Sequence, residues 1–186
     1  KYTPYAVLIL SISITVFVVM EVNAVIVNND KEKLDNQMTD IKNRMERRMQ
    51  AYEQVLFGGK GLFAASHVVE RNEWKTFVET QMIEERFPGI QGVGVSKLIV
   101  GKDNLEIYND QIRKEGFPDY TVRPEGEREE YHPVVYLEPV NERNKRAFGY
   151  DMYSEPVRHH AIDLARDTGI TTISGKVRLI QETDDN

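Results

Sequence analysis

The chain has 186 residues with a formal net charge of -6, and 40% of the residues are hydrophobic and 29% charged. This composition is typical of a folded protein, and the length gives room for about one domain of roughly 100–200 residues beside a membrane segment. The acidic balance argues against general binding of nucleic acid, which requires clustered Lys and Arg. The sequence contains no cysteine, which excludes disulfides and thiolate metal sites.

An apolar stretch near the N-terminus predicts a transmembrane helix. It contains no charge between Tyr5 and Met20, and its extension to Val27 gives roughly the 20 residues that span a bilayer core of about 30 Å. A buried helix of a globular domain is one alternative, and a cleaved signal peptide with small residues near Ala24 is another. We assign residues 1–27 to an N-terminal tail and this membrane helix.

The charges beside the apolar stretch predict its orientation. Lys1 is the basic residue before the span, whereas Glu21 and Asp30 follow it. This is the sense expected for a cytoplasmic N-terminus. The rest of the chain is therefore expected outside the cytoplasm, anchored in the cell membrane.

Residues 28–57 predict a polar stalk helix with one narrow apolar stripe. The apolar residues of the stripe recur every three or four positions, a spacing that suits a parallel helix pair and hence a homodimer through the stalk. Packing of the stripe on the chain's own domain is the alternative. The stripe consists of Leu34, Met38, Ile41, Met45, Met49, Tyr52 and Leu56.

Residues 58–186 predict a mixed domain that begins after a break at Gly58, Gly59 and Gly61. Two helices follow, one over residues 62–69 and one from a cap at Asn72 to a stop at Pro88 and Gly89, and then a strand over residues 90–100. A short helix after a capping box of Asp103 and Glu106 is expected to end at Gly116.

The second half of this domain predicts further strands around one helix. The expected strands cover residues 120–123, 134–140, 147–152, 170–174 and 176–181, and the second and third of these could form a hairpin. Ser154 is placed to cap a helix that ends at Gly169. Helices followed by strands with inserted helices predict an α+β fold with an antiparallel sheet.

Two histidines raise the possibility of an enzyme. His159 and His160 precede Asp163 on one predicted helix, and His160 and Asp163 share a face. Two such residues on one helix face more commonly form a solvated surface than a metal site, so no metal or cofactor is predicted. A membrane-anchored extracytoplasmic hydrolase that uses these residues is the alternative function.

Asp151 is the candidate for a binding residue, because its predicted strand is apolar or aromatic around it. Burying a carboxylate without a partner costs several kcal/mol, so either a protein donor or an N–H group of a ligand must satisfy it. A capping role for the following helix is an equally open interpretation.

Five motifs in order resemble the CHASE domain over residues 58–182. They are FPGIQGVG at 87–94, YHPVVYLEPV at 131–140, NKRAFGYDMYSEPVRHHAI at 144–162, ARDTG at 165–169 and VRLIQE at 177–182. The resemblance implies a PAS-like sensory fold outside the cytoplasm, attached to histidine kinases, diguanylate cyclases or adenylyl cyclases. It also implies a dimer through the stalk helix and no enzymatic activity in this fragment.

The resemblance implies a ligand site as well. In the related plant cytokinin receptors the aspartate that matches Asp151 binds an adenine-type ligand, and the position that matches Thr168 is important for binding. A main-chain contact is expected near Ile173, and we place Tyr136, Phe148 and Met152 in the apolar floor of the pocket. The chain stops at Asn186, before the strands that complete the family's sheet, so a C-terminally incomplete domain is expected. A dimerisation ectodomain without a ligand is the remaining alternative.

Overall fold

The computed structural model describes residues 3–179, which divide into two compact units after Ala51. The first unit is helical and belongs to helix α1, Thr3–Ala65. By length and composition α1 is apolar enough to cross a membrane. The apolar residues 10–20 are exposed along this helix, and so is the stripe from Leu34 to Met45.

α1 continues through the glycines where a break is predicted. A Cβ atom at Gly58 would lie 3.2 Å from the Phe77 ring, and one at Gly59 would lie 3.4 Å from Trp74. The missing side chains let a second helix pack closely here, which offsets a helix-propensity cost of about 1 kcal/mol per glycine. The predicted break is therefore wrong.

The second unit begins at Tyr52 and combines short helices with two small antiparallel sheets, which confirms the α+β prediction. In chain order its elements are α2 (Arg71–Thr80), α3 (Ile83–Arg86), β1 (Val93–Ser96), β2 (Ile99–Val100), α4 (Lys102–Lys114), β3 (Glu130–Tyr131), β4 (Val134–Glu138), two 3₁₀ helices (Asn144–Ala147 and Met152–Ser154) and α5 (Pro156–Thr168). β1 pairs with β4, and β2 pairs with β3.

Two apolar clusters form the core of this unit. The first joins the end of α1 to α2, α3 and β1 through Val55, Val69, Trp74, Val78, Ile83 and Val93. The second joins α4 to the β2–β3 pair through Ile99, Ile112, Tyr120, Val122 and Tyr131. α2 and α4 thus each bury one apolar face, as amphipathic helices of globular proteins do.

Three helix caps differ from the predicted ones. α2 begins after Glu70, which forms a reciprocal capping box with Glu73. α4 follows Gly101, and no side chain caps it. α5 is capped by Glu155, whose carboxylate accepts from the backbone N–H groups of Val157 and Arg158, and it ends at Gly169 as predicted.

The strands predicted around Asp151 are largely replaced by tighter turns. Residues 147–152 contain the end of one 3₁₀ helix and the start of the next, and only single bridges join Arg123 to Tyr150 and Pro133 to Asp151. β4 pairs with β1 instead of forming the predicted hairpin. Residues 170–179 carry no strand, and residues 180–181 of the last predicted strand lie outside the described part of the chain.

Candidate functional site

An open cavity of about 420 Å³ lies beside α2, β4 and the first 3₁₀ helix. This volume falls in the range of small-molecule sites, roughly 300–1,000 Å³. Its aromatic walls come from Trp74, Phe117, Tyr136 and Phe148, and its polar side includes Arg71 and Asn144. Two of the residues predicted for the pocket floor, Tyr136 and Phe148, therefore line one cavity.

Arg71 holds three of these rings in place. Its guanidinium carbon lies 4.5 Å from the ring centre of Phe117, 5.1 Å from that of Tyr136 and 5.4 Å from that of Phe148. Its Nη2 is 2.9 Å from the carboxylate of Glu115, and its Nη1 donates to the carbonyl of Val135 at 2.8 Å. The rings are fixed by cation–π contacts around a charge that the protein already pairs.

Two buried polar atoms of lining residues have no hydrogen-bond partner in the described part of the chain. They are Nε1 of Trp74 and Oδ1 of Asn144. The amide nitrogen of Asn144 donates to the carbonyls of Gln91 and Pro139 at 2.9 Å each, which fixes which way the amide points. An unsatisfied buried group costs about 1–3 kcal/mol, and because neither atom is exposed, both lie beneath the surface of the cavity.

Tyr136 and Phe148 are themselves held by the surrounding structure. The hydroxyl of Tyr136 donates to the carbonyl of Val69 at 2.8 Å, and burial raises the pKa of this phenol. The Phe148 ring lies 5.0 Å from Phe117 and 4.9 Å from Tyr120, between centres. The aromatic wall is preorganised rather than assembled by a ligand.

Asp151 is completely buried, and the protein itself satisfies its carboxylate. Oδ1 accepts from the backbone N–H groups of His132 at 2.7 Å and Tyr153 at 3.1 Å, and the second bond caps the following 3₁₀ helix. Oδ2 lies 2.8 Å from Nε of Arg128, close enough for an ion pair although the two groups are not aligned as a hydrogen bond. Asp151 therefore has protein donors, which was one of its two predicted alternatives.

Sequence reasoning missed Arg128. It lies in a loop 23 residues before Asp151, and no periodic pattern links the two. The guanidinium also lies over the Tyr131 ring at 5.0 Å, and its Nη2 donates to the carbonyl of Pro124 at 2.8 Å. These contacts hold the arginine beside the buried carboxylate.

The other predicted site residues lie away from the cavity. Met152 is half-buried in the second 3₁₀ helix, and Asp151, Met152, Thr168 and Ile173 are absent from the cavity's lining in the described residues. The Thr168 hydroxyl donates to the carbonyl of Leu164 at 2.6 Å, at the end of α5. Ile173 is 75% exposed.

His159 belongs to a stack of rings beside Asp151. The Tyr153 ring lies between His132, at 4.0 Å, and His159, at 3.9 Å. Its hydroxyl donates to Asp163 at 2.6 Å, and this bond is the main cause of the lowered pKa of Asp163. Among the described residues no three metal-ligating side chains come together, and His160 is exposed.

A family model for the CHASE domain matches residues 67–186, almost two thirds of the chain. The chain belongs to the CHASE family. A search of curated proteins finds no match to it. CHASE domains are extracellular, non-catalytic sensory modules of signalling receptors and bind small ligands. The match begins at His67, just after α1 ends, and it confirms the predicted resemblance.

Proposed function

We propose that this CHASE domain is the input module of a membrane-anchored receptor and binds its small ligand in the cavity lined by Trp74, Tyr136 and Phe148. One observation carries this proposal: four aromatic side chains line an open cavity of about 420 Å³, a volume typical of small-molecule sites. Apolar walls with a few fixed polar groups are typical of ligand sites. The sensory part lies outside the cytoplasm, with Tyr5 to Val27 as the anchor.

The resemblance adds finer predictions about the receptor. The output domain is a histidine kinase or a diguanylate cyclase, the sensory fold is PAS-like, and residues 28–57 form a homodimer. Family membership and the long apolar helix support this assignment. Assays of the full gene product for autophosphorylation and for cyclic nucleotide synthesis distinguish the two outputs.

Direct ligand contacts at Asp151, Met152, Thr168 and Ile173, and an adenine-like ligand, stay predictions. A ligand N–H group that reaches Asp151 has to replace Arg128 at Oδ2, because the other carboxylate oxygen already accepts two backbone N–H groups. Such an exchange retains a donor for the buried charge.

Two residues that line the cavity, Trp74 and Tyr136, also contact the last turns of α1. The Phe63 ring lies 5.8 Å from Trp74 and 6.0 Å from Tyr136, between centres. A ligand that moves either ring therefore changes the packing of α1 around Phe63. Signalling then requires that the ligand bind two arrangements of this contact with different affinity.

Thermal unfolding of the full chain in lipid nanodiscs, with a library of small planar molecules, tests the proposal. A ligand at about 100 times its Kd stabilises the folded state by about 2.7 kcal/mol. We expect Phe148→Leu to lose this stabilisation and the matched variant Phe57→Leu, at an exposed position of α1, to keep it. Equal stabilisation of both variants would place the ligand elsewhere.

A further inference from the structure

We propose that the cavity takes an uncharged, fused aromatic molecule of two or three rings. This inference rests on the proposed function and names the class of ligand for the same cavity. Three properties of the lining carry it: its exposed surface is mostly apolar, each of its cations already has an acidic partner, and its volume exceeds that needed for a single ring.

The surface that the cavity presents to a ligand consists mainly of apolar atoms. Phe117 is exposed, and Tyr136, Leu137 and Phe148 are half-buried, so these side chains can contact a bound molecule. The two unpartnered polar atoms lie beneath this surface and offer a ligand no hydrogen bond. A polar group of a ligand would therefore lose its water here without gaining a protein partner, which is unfavourable.

The cations around the cavity are already paired, so they do not favour an anion. The pairs are Arg71 with Glu115, Lys75 with Glu79 and Lys145 with Glu142. A ligand carboxylate would lose its own water and compete with an acid that is already in place. The exposed lysine pairs offer it little in return, because ion pairs on a solvated surface contribute little free energy.

The ring faces do not favour a ligand cation, because Arg71 already occupies them. Its guanidinium carbon lies 4.5 to 5.4 Å from the ring centres of Phe117, Tyr136 and Phe148. A ligand cation at these rings would meet this positive charge. Glu138 is the single acid among the described residues that line the cavity, and its carboxylate accepts from a backbone N–H group at 3.1 Å. A cationic probe is therefore the strictest test of an uncharged ligand.

The volume of the cavity sets the number of rings. An apolar cavity of about 150 Å³ is enough to bind benzene, whereas this cavity measures about 420 Å³. Aromatic walls hold flat rings by offset or edge contacts, with centres about 4.5–7 Å apart. The Phe117 and Phe148 rings already form such a contact at 5.0 Å. A fused ring system extends the same kind of contact, which a flexible aliphatic chain cannot form.

Four probes of similar size test the charge and polarity of the ligand. They are 2-acetylnaphthalene, which is uncharged, the anion 2-naphthoate, the cation 2-naphthylmethylammonium, and adenine, whose two rings have polar edges. Calorimetry on the full chain in lipid nanodiscs measures each affinity, with empty nanodiscs as the blank for partitioning into lipid. We expect 2-acetylnaphthalene to bind at least about tenfold tighter than each of the others, because they lose water from charged or polar groups without gaining new partners.

The tryptophan of the cavity reports where a probe binds. Trp74 is the chain's only tryptophan, so the NMR spectrum contains a single indole N–H signal. We expect 2-acetylnaphthalene to shift this signal, because the ring current of a bound aromatic molecule acts on nearby protons.

Phe117→Leu tests the ring contacts, because leucine keeps an apolar side chain but removes the ring. We expect the affinity for 2-acetylnaphthalene to fall about two- to tenfold, the range for one aromatic contact, and that for the saturated analogue 2-acetyldecalin to fall less. Phe57→Leu, at an exposed position of α1 outside the cavity lining, is the control and should bind both probes like the unaltered chain. Because both probes are measured on the same variant, a general change in folding cannot imitate a lost ring contact.

The outcomes separate this inference from the proposed function. A charged probe or adenine that binds as tightly as 2-acetylnaphthalene and shifts the Trp74 signal overturns the ligand class and leaves sensing in the cavity intact. Equal losses of both probes in Phe117→Leu also overturn it, because the rings then make no specific contact. Binding of 2-acetylnaphthalene without a shift at Trp74 places the site elsewhere and contradicts the proposed function as well. Binding by none of the probes overturns the inference alone, since the library of planar molecules still tests the cavity.

Discussion

His132 carries the clearest pH dependence of a single residue in this domain. The side chain is buried against the Tyr153 ring, and both ring nitrogens lack partners among the described residues. Burial lowers the pKa of His132 below its ordinary 6.5, opposed by Asp151, Glu130 and Asp163 and reinforced by Arg166. The folded state therefore favours the neutral form of the His132 imidazole over the protonated form.

This preference predicts a loss of stability in mild acid. The contribution of His132 is complete above pH 6.5, and it falls as the pH drops from there through the lowered folded pKa, because the unfolded chain binds the proton first. His132→Phe keeps the ring stack without titration, so we expect a flatter pH dependence of unfolding between about pH 5 and 7. The difference in slope cannot exceed about 1.4 kcal/mol per pH unit, the limit for one proton.

Chemical unfolding of the chain in nanodiscs across this pH range measures the slope. His160→Gln, at an exposed position, is the control and should retain the slope of the unaltered chain. Identical slopes for the unaltered chain and His132→Phe would show that the imidazole titrates alike in the folded and unfolded states.

At the scale of elements, the close packing of α1 on α2 depends on glycines that differ in their surroundings. A Cβ atom at Gly61 would meet nothing within 4 Å, whereas one at Gly58 would lie 3.2 Å from the Phe77 ring. Both positions are helical, so Ala gains up to about 1 kcal/mol of helix propensity at either.

Substitutions of Gly58 and Gly61 by Ala are therefore predicted to change the free energy of unfolding by different amounts or in opposite directions. We expect Gly61→Ala to raise the free energy of unfolding by about 0.5–1 kcal/mol, and Gly58→Ala to gain less or to destabilise, because Phe77 has to move. Thermal unfolding of the two variants side by side provides the measurement. A larger gain at Gly58 than at Gly61 would contradict the packing described for this helix pair.

The helices and strands of the second unit show which parts of the fold can be predicted from local sequence. α4 and α5 have clear apolar periodicity and glycines near their ends, so their positions could be predicted. The strands could be predicted only in part: β1, β2 and β4 lie within predicted strands, whereas residues 147–152, which include the strand-forming Phe148 and Tyr150, fold into 3₁₀ turns that bond to Arg123 and His132 from distant loops. At the site, Tyr136 and Phe148 could be predicted, whereas Arg71 and Asn144 act through partners 64 and 53 residues away.

At the scale of the whole molecule, the exposed stripe of α1 is the feature that a single chain leaves unexplained. Leu34, Met38, Ile41 and Met45 are each more than half exposed and recur every three or four residues. A helix with such a stripe buries it against a partner helix in a coiled coil. The proposed receptor dimer supplies that partner, in parallel, from an identical chain.

Cysteine crosslinking in membranes tests this arrangement on a chain that has no cysteine of its own. Ile41→Cys places a thiol on the stripe, and Asn43→Cys places it about 200° away around the helix, on the opposite face. In a parallel dimer two copies of Ile41 face each other, so we expect Ile41→Cys to form a disulfide-linked dimer at least about tenfold faster than Asn43→Cys under mild oxidation. Equal rates at both positions, or crosslinks that vanish on dilution into excess lipid, would show that the chains only collide and that the stripe has another partner.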